Sequence, residues 1–470
     1  MKRANILNLK ISSQRIDKVY NIRNNPEHTL GKGSFGIVIK AEDKLTGQIR
    51  AIKIIKKAQL EQIDADLTLL SNEFNIMIQM DHPNIIRLYE VFEDQRYFYF
   101  VMEYMNGRSL YDYLVSGNYE LTELSIREIF YQLMKGLQYL HKNGIAHRDI
   151  KPENIMFVNN KSNHIKIIDF GVSKYFFSPE DPKKEITLRT QAGSLYYISP
   201  EIIEGAYDCR CDIWSAGVIL YSLFAGSPPF YDDDPHVVVK KVKNIEYAFK
   251  EDVWSNVSPQ VIDLIKHMLT KRDIRYSADN VLEHEWMKMN LESKKYVIDV
   301  NRLKKFFLGK SLSRYILEMI TASGSETDNS VLGELFVQID EDGDGLISRE
   351  DLIEGIKSHF SIVDQELIDL IKTTYQSEQR LNYNNFLTCV NSVKNYSNLE
   401  KRIEKAFHLI DRKQTGKITG ADLRAAFKKM KLEEKKDEKF WDDLIKEIDT
   451  TGKGYLDLED FTNMMKFYIN

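Results

Sequence analysis

The stretch His147-Arg148-Asp149-Ile150-Lys151-Pro152-Glu153-Asn154, followed by Asp169-Phe170-Gly171 after the strand-like Ile165–Ile168, decides how the chain is read. It holds the side chains that phosphoryl transfer needs. The transition state of that reaction is charged and asks for little covalent help, so positioning and electrostatics carry the rate. A carboxylate must stand near an attacking hydroxyl, and Asp149 suits that place. Oxygen ligands must hold Mg²⁺, and Asn154 and Asp169 supply them. A cation must face the group in transit, and Lys151 is the candidate.

Upstream, Leu30-Gly31-Lys32-Gly33-Ser34-Phe35-Gly36-Ile37-Val38 contains a G-x-G-x-x-G pattern. Alone this is weak, because dinucleotide-binding loops share it, but those loops open a helix. Here the run continues into Ile39-Lys40, a turn at Thr46-Gly47 and a second strand from Gln48 to Ile54. That is a hairpin, suited to lie over phosphates, and glycine lets its backbone approach their oxygens closely. The second strand carries Ala51-Ile52-Lys53. Alone, Lys53 reads as a solvated strand lysine, and Glu73 as a helix-surface charge. Residues 30–105 alternate as strands around one helical stretch near 64–80, and 121–290 are mainly helical in spacing. The reading is a β-rich lobe followed by an α-rich lobe.

Taken in order, these motifs resemble the eukaryotic protein kinases across roughly residues 24–287. The resemblance implies ATP as phosphate donor, Mg²⁺, protein substrates and the bilobal kinase fold. Leu30 through Val38 would cover the nucleotide. Lys53 would hold its α- and β-phosphates, paired to Glu73. The backbone of Glu103-Tyr104-Met105 would meet adenine, with Met102 as gatekeeper. Ser199-Pro200-Glu201 stands for the family's Ala-Pro-Glu, with Arg275 as the glutamate's partner, and Asp212-Ile213-Trp214-Ser215 follows. Lys151, two residues after Asp149, resembles serine/threonine rather than tyrosine kinases. Arg148 before Asp149 resembles kinases whose activation loop is held by a phosphate, and Thr190 occupies the usual phosphorylation position. Arg108-Ser109 departs from the common Gly-Glu, which leaves Glu153 to favour basic residues in a substrate.

Past residue 330, helical segments alternate with Asp- and Gly-containing loops that begin near 340, 374, 411 and 449, an internal repeat. Asp340-Glu341-Asp342-Gly343-Asp344-Gly345-Leu346-Ile347-Ser348-Arg349-Glu350-Asp351 has the EF-hand pattern. Asp340, Asp342 and Asp344 supply carboxylates, the Leu346 carbonyl a further ligand, and Gly345 the sharp turn. Asp351 stands where a bidentate glutamate is usual, so weaker Ca²⁺ binding is expected. Thr374, Gln376 and Asn385 strip the second loop of charge. Lys413 and Lys453 put cations into the third and fourth, where they oppose a divalent ion.

The order of kinase, linker and four EF-hand units resembles the calcium-dependent protein kinases of plants, ciliates and apicomplexans. The implied fold class is α+β: a bilobal kinase at 24–287 after an extension, 1–23, expected to be poorly ordered. An autoinhibitory junction at 288–325 and an all-α EF-hand domain of two helix-loop-helix pairs at 326–470 complete it. In that family a junction helix blocks the substrate site until Ca²⁺ acts on the tail. The matching segment, Asn301 to Ile320, is basic and amphipathic, as an EF-hand groove would clasp. Two rivals are a relative with purely structural EF-hands and a pseudokinase scaffold; intact Lys53, Asp149, Asn154 and Asp169 argue against the latter.

Composition excludes other classes. A formal net charge of −5 offers no basic field to nucleic acid. Cys209, Cys211 and Cys389 are too few for a disulfide framework. No apolar run approaches the ~20 residues of a membrane span. Met1-Lys2-Arg3 opens no signal sequence, and Lys2 excludes N-myristoylation. A cytoplasmic monomer without a membrane anchor is expected.

Overall fold

The computed structural model describes residues 15–22, 28–33, 36–58, 76–116, 121–176, 195–289, 295–296, 298, 300–301, 303–304, 317, 321, 329–375, 379–390, 399–429, 438–449 and 451–469. The strand alternation over 30–105 builds one six-stranded antiparallel sheet. Its strands are β1 (Tyr20–Asn21), β2 (Thr29–Gly33), β3 (Gly36–Asp43), β4 (Ile49–Lys56), β5 (Leu88–Glu93) and β6 (Tyr97–Glu103), in the order β1-β3-β4-β6-β5 with β2 also on β3. The predicted hairpin is β3–β4. Its turn is closed by Asp43, whose Oδ1 accepts the Leu45 and Thr46 amides at 3.0 and 2.9 Å, and by Gly47 at φ 74. That conformation favours a residue without Cβ.

Part of the N-terminal extension departs from expectation. Tyr20 is 1% exposed, and β1 pairs with Glu42 and Asp43 of β3. Ile16 and Tyr20 pack with Ile39, Ile52 and Phe92 on one face of the sheet. A large aromatic buried at this depth contributes on the order of 2 kcal/mol, enough to hold a short strand in place.

The second lobe forms around α1 (Glu123–Lys142), which opens on a Thr122 cap accepting the Ser125 amide at 3.2 Å. It buries Ile126, Phe130, Leu133, Leu137 and Leu140. Helix α2 (Arg210–Ala225) is buried along nearly its whole length, with Trp214 stacked 5.2 Å from Phe230. The ribbon Ile155–Phe157 with Ile165–Ile167 carries the loop of Asp149 on one side and Asp169 on the other.

The EF-hand units pair as their spacing suggests. Helices α3 (Ser330–Ile339), α4 (Arg349–His359), α5 (Gln365–Thr374) and α6 (Tyr383–Val390) share a core that includes Phe336, Ile356, Leu367 and Phe386. Helices α7 (Leu399–Ile410), α8 (Gly420–Lys429), α9 (Glu438–Ile448) and α10 (Leu458–Ile469) share another, with Phe407, Trp441 and Phe461. The bridges Ile347↔Leu381 and Ile418↔Leu456 join the loops within each pair. The junction contributes to both cores: Leu303 to the first and Leu317 to the second, while Lys304 pairs with Asp364 and Glu366 at 2.9 Å each. Of the candidate segment Asn301 to Ile320, residues 302, 305–316 and 318–320 lie outside the described residues.

The EF-hand unit is seated on the kinase lobes. Arg87 donates to Asn384 Oδ1 at 2.8 Å, and the Asn384 amide donates to Asp81 Oδ2 at 2.9 Å. Lys405 of α7 reaches Asp43 and Glu90 at 2.7 and 3.0 Å. Burial alone would raise the Asp43 carboxyl, but the Lys405 charge and the Thr46 bonds hold it below its usual value. Its stabilising effect is therefore full above the ordinary carboxylate range near ~4 and is lost as pH falls through the lower folded value. Removing one member of a buried pair leaves the other uncompensated. Lys405→Met should destabilise the docked form by about 3 kcal/mol. Limited proteolysis between the domains and thermal melting read this, and an unchanged melting curve would refute the anchor.

Candidate active site and calcium loop

Asp212, wholly buried, accepts the His147 and Arg148 amides at 2.9 and 2.7 Å and so holds the catalytic loop from behind. Arg148 and Asp169 both take positive φ, 73 and 62. Such backbones cost ~1–3 kcal/mol each and persist where the surroundings enforce them. His147 does so: its Nε2 lies 3.1 Å from the Ile168 carbonyl, and its ring meets Phe170 edge-on at 5.0 Å. This ties the Asp149 loop to the Asp169 loop.

Within that frame, Asp149 Oδ2 accepts from Lys151 Nζ at 2.6 Å and from Asn154 Nδ2 at 2.9 Å. The Asn154 amide nitrogen also donates to the Asp149 carbonyl at 2.8 Å. With nitrogen so engaged, Asn154 has Oδ1 to offer a metal. Lys53 Nζ donates to Asp169 Oδ1 at 3.0 Å. Burial would raise the Asp169 carboxyl, but the Lys53 charge and hydrogen bond keep it lowered, so it is an anion ready for Mg²⁺. The sequence places Lys53, Asp149, Lys151, Asn154 and Asp169 in one constellation, and the fold brings them together. The expected partner of Lys53, Glu73, lies outside the described residues, as do Ser34, Phe35 and Thr190. Lys32 and Gly33 are described by their backbone alone.

The glycines of the hairpin differ in what requires them. A Cβ at Gly36 would fall 1.9 Å from the Ile54 carbonyl, so backbone packing demands glycine there. A Cβ at Gly31 would meet no protein atom within 4 Å. Packing does not demand glycine at Gly31. Leu30 is half exposed beside it, while Ile37 and Val38 continue into β3. At the hinge, the Glu103 amide already donates to the Arg87 carbonyl at 2.9 Å, and its side chain stands 3.1 Å from Lys166. Met102 and Met105 are buried. The Arg108-Ser109 departure has a local reason: Ser109 Oγ caps the helix Leu110–Val115 by accepting the Asp112 amide at 3.0 Å. Glu201 and Arg275 form the expected buried pair, with Nη2 to Oε2 at 3.0 Å.

A family model for the protein kinase domain matches residues 25–287, one for an EF-hand matches 332–356, and one for an EF-hand domain pair matches 400–466. Calcium-dependent protein kinase 4 of Plasmodium falciparum (isolate 3D7) is 35% identical, over 96% of this chain and 88% of the relative. Calcium-dependent protein kinase 3 of Plasmodium berghei (strain Anka) is 34% identical, over 96% and 81%. The chain belongs to the calcium-dependent protein kinase family. Its kinase domain and C-terminal EF-hands follow the order that the family resemblance implies.

In this family member the four EF-hand loops are unequal. Asp340, Asp342 and Asp344 bring carboxylate oxygens within 4.8 Å of one another. The Asp340 oxygens accept the Gly343 and Gly345 amides at 3.1 and 3.0 Å. Burial, with the neighbouring Asp342 and Asp344 charges, pushes Asp340 up to about 6 against the opposing pull of Lys135. Crowded hard oxygen donors of this kind suit Ca²⁺. Asp351 stands apart from that cluster. Its Oδ2 accepts the Ser348 amide at 2.9 Å, and Ser348 Oγ accepts the Asp351 amide at 3.1 Å, a capping box at the start of α4. The cap engages one carboxylate oxygen and leaves Oδ1 as the oxygen to offer a metal. The loop offers Leu346 and Ser348 between them.

The other loops differ from it in the residues at their ligand positions. Asp411 accepts the Thr415 and Gly416 amides at 3.0 and 2.7 Å, and Asp422 takes Thr419. Thr374 Oγ1 turns back to the Leu370 carbonyl at 2.7 Å. Lys453 sits between Asp457 and Asp460 at 2.5 and 2.9 Å, so an ammonium stands among the oxygens that would hold a metal. The sequence shows Lys453 as an intruder but not that it closes the loop on these two carboxylates.

Proposed function

We propose that this chain transfers the γ-phosphate of ATP to serine and threonine hydroxyls of proteins, under the control of Ca²⁺ held by loop 340–351. The observation that carries the catalytic half is the meeting of Lys151 and Asn154 on one oxygen of Asp149, with Lys53 on Asp169 nearby. Asp149 orients the substrate hydroxyl and accepts its proton. Lys151 neutralises charge on the moving phosphoryl group. Lys53 anchors the α- and β-phosphates, with Glu73 as its partner in the active arrangement. Asn154 and Asp169 would hold Mg²⁺, which would offset the negative charge of the phosphates. The backbone of Leu30 to Val38 covers the nucleotide, and the Glu103 and Met105 backbone meets adenine. Thr190 is the candidate phosphorylation site, and Glu153 favours basic substrates.

The junction at 288–325 is the regulated element. Leu303 and Leu317 are anchored in different EF-hand cores, so a change in either pair pulls on the segment between them. Ca²⁺ at Asp340, Asp342, Asp344, the Leu346 carbonyl and Asp351 would shift that grip and clear the substrate site. Among the described residues no helix is long and apolar enough to cross a membrane. We further read the chain as a cytoplasmic monomer. Labelling with Mg²⁺–[γ-³²P]ATP and a protein substrate, followed by phosphoamino-acid analysis, tests the reaction class. Label on serine or threonine is expected, and label confined to tyrosine would refute it.

A further inference from the structure

A polar cavity of about 430 Å³ lies between β4, the hinge, the Ile155–Ile167 ribbon and the first EF-hand pair. That volume is within the ~300–1,000 Å³ of small-molecule sites. Its walls include Arg50, Arg87, Tyr89, Glu103, Lys166 and Thr321. Lys53, Asp149 and Asp169 do not line it, so it is separate from the transfer site. Among the described lining residues Glu103 is the one carboxylate, and it stands 3.1 Å from Lys166. Asp81, outside the lining, is 3.8 Å from Arg87. Arg50 donates to the Ile49 carbonyl at 3.2 Å and to Gln48 Oε1, both neutral groups. The lining is therefore cationic on balance.

Arg50 and Lys166 are each more than nine-tenths buried. Cations gathered at this depth repel one another, and an anion among them removes that cost. The guanidinium of Arg50 lies over the Tyr89 ring at 4.2 Å, and that of Arg87 lies over the same ring at 5.9 Å. Stacking holds the planar forks in place, and such forks match phosphate oxygens in pairs. An independent sign of a ligand comes from Thr321. It is 2% exposed, it lines the cavity, and its Oγ1 has no hydrogen-bond partner among the described residues. A buried hydroxyl of this kind asks for one. Asn106 and Asn159 add side-chain amides to the walls, which suit hydroxyl groups. We propose that this cavity binds a small phosphorylated sugar, with its phosphoryl group among Arg50, Arg87 and Lys166 and a hydroxyl on Thr321. The site requires neither phosphate transfer nor an occupied calcium loop.

Calorimetric titration of the full chain with glucose 6-phosphate tests this, with the nucleotide cleft filled by Mg²⁺ and a non-hydrolysable ATP analogue. It is run once with Ca²⁺ and once with chelator. Inorganic phosphate and glucose are the comparison probes. The sugar phosphate should bind about 10-fold or more tighter than either, because it alone meets both the cations and the hydroxyl partners. Arg50→Gln should weaken it about 10- to 100-fold, as expected for a hydrogen bond to a charged group. Thr321→Val keeps the shape and removes the hydroxyl. It should weaken binding about 2- to 10-fold and leave the melting temperature unchanged or raised, since no protein bond is lost. This second variant decides the matter if Arg50→Gln fails to fold. No heat from the sugar phosphate in either condition would overturn the proposal. Affinity unchanged in a folded Arg50→Gln variant, or in Thr321→Val, would place the anion elsewhere and overturn it. Inorganic phosphate binding as tightly as the sugar phosphate would mean an adventitious ion only, and would overturn it too.

Discussion

Asp149→Asn should lower kcat for phosphate transfer by about 10³-fold, within the range for a positioned general base, while ATP binds within about threefold of the parent. The substitution keeps the shape of the side chain. The substituted amide can still accept from Lys151 or Asn154 through its one remaining oxygen, so the loop held by Asp212 should fold as before. What disappears is the negative charge that orients the hydroxyl and takes its proton. The loss should therefore fall on kcat and not on nucleotide affinity. Single-turnover transfer and nucleotide titration separate the two. A loss below tenfold in a protein with an unchanged melting temperature would mean that another group serves as base.

The second large effect concerns the sensor. Asp340→Asn with Asp344→Asn should remove the principal calcium site and raise the Ca²⁺ concentration for half-activation by more than about 30-fold, since ligand charge tunes EF-hand affinity over decades. Asparagine at 344 retains the acceptor for the Leu346 amide, while asparagine at 340 keeps one oxygen for either the Gly343 or the Gly345 amide and gives up the other bond. Asp449→Asn should move the activation curve by less than about threefold, because Lys453 already occupies the charge of its loop. Calorimetry should count one site of highest affinity in the parent and lose it in the double variant. Equal shifts from the two substitutions would refute the assignment of control to 340–351.

The catalytic residues are legible in the sequence because their chemistry is local. His147 to Asn154 and Asp169 to Gly171 form short motifs whose residue types suit the chemistry and whose resemblance to the protein kinases implies the roles. The EF-hand loops are legible for the same reason, down to Asp351 in place of the usual glutamate. Contacts between distant segments escape such a reading. Lys405 is an ordinary charged position on a helix until α7 is laid against Asp43 and Glu90. Tyr20 sits in a polar extension, and only the free edge of β3 turns it into a core residue. Lys135 reads as one more lysine of an amphipathic helix, and its partner lies on another domain. In each case the deciding interaction joins residues that no local period or motif relates.

Calcium controls phosphate transfer within one chain if sensor and active site are coupled. The most direct measurement is the initial rate of transfer from Mg²⁺–ATP to a serine/threonine peptide, in saturating Ca²⁺ and in excess calcium chelator, with folding checked in both. A rate about tenfold or more higher with Ca²⁺ is expected from a coupling of about 1–3 kcal/mol between sensor and active site. Equal rates in the two conditions would contradict it.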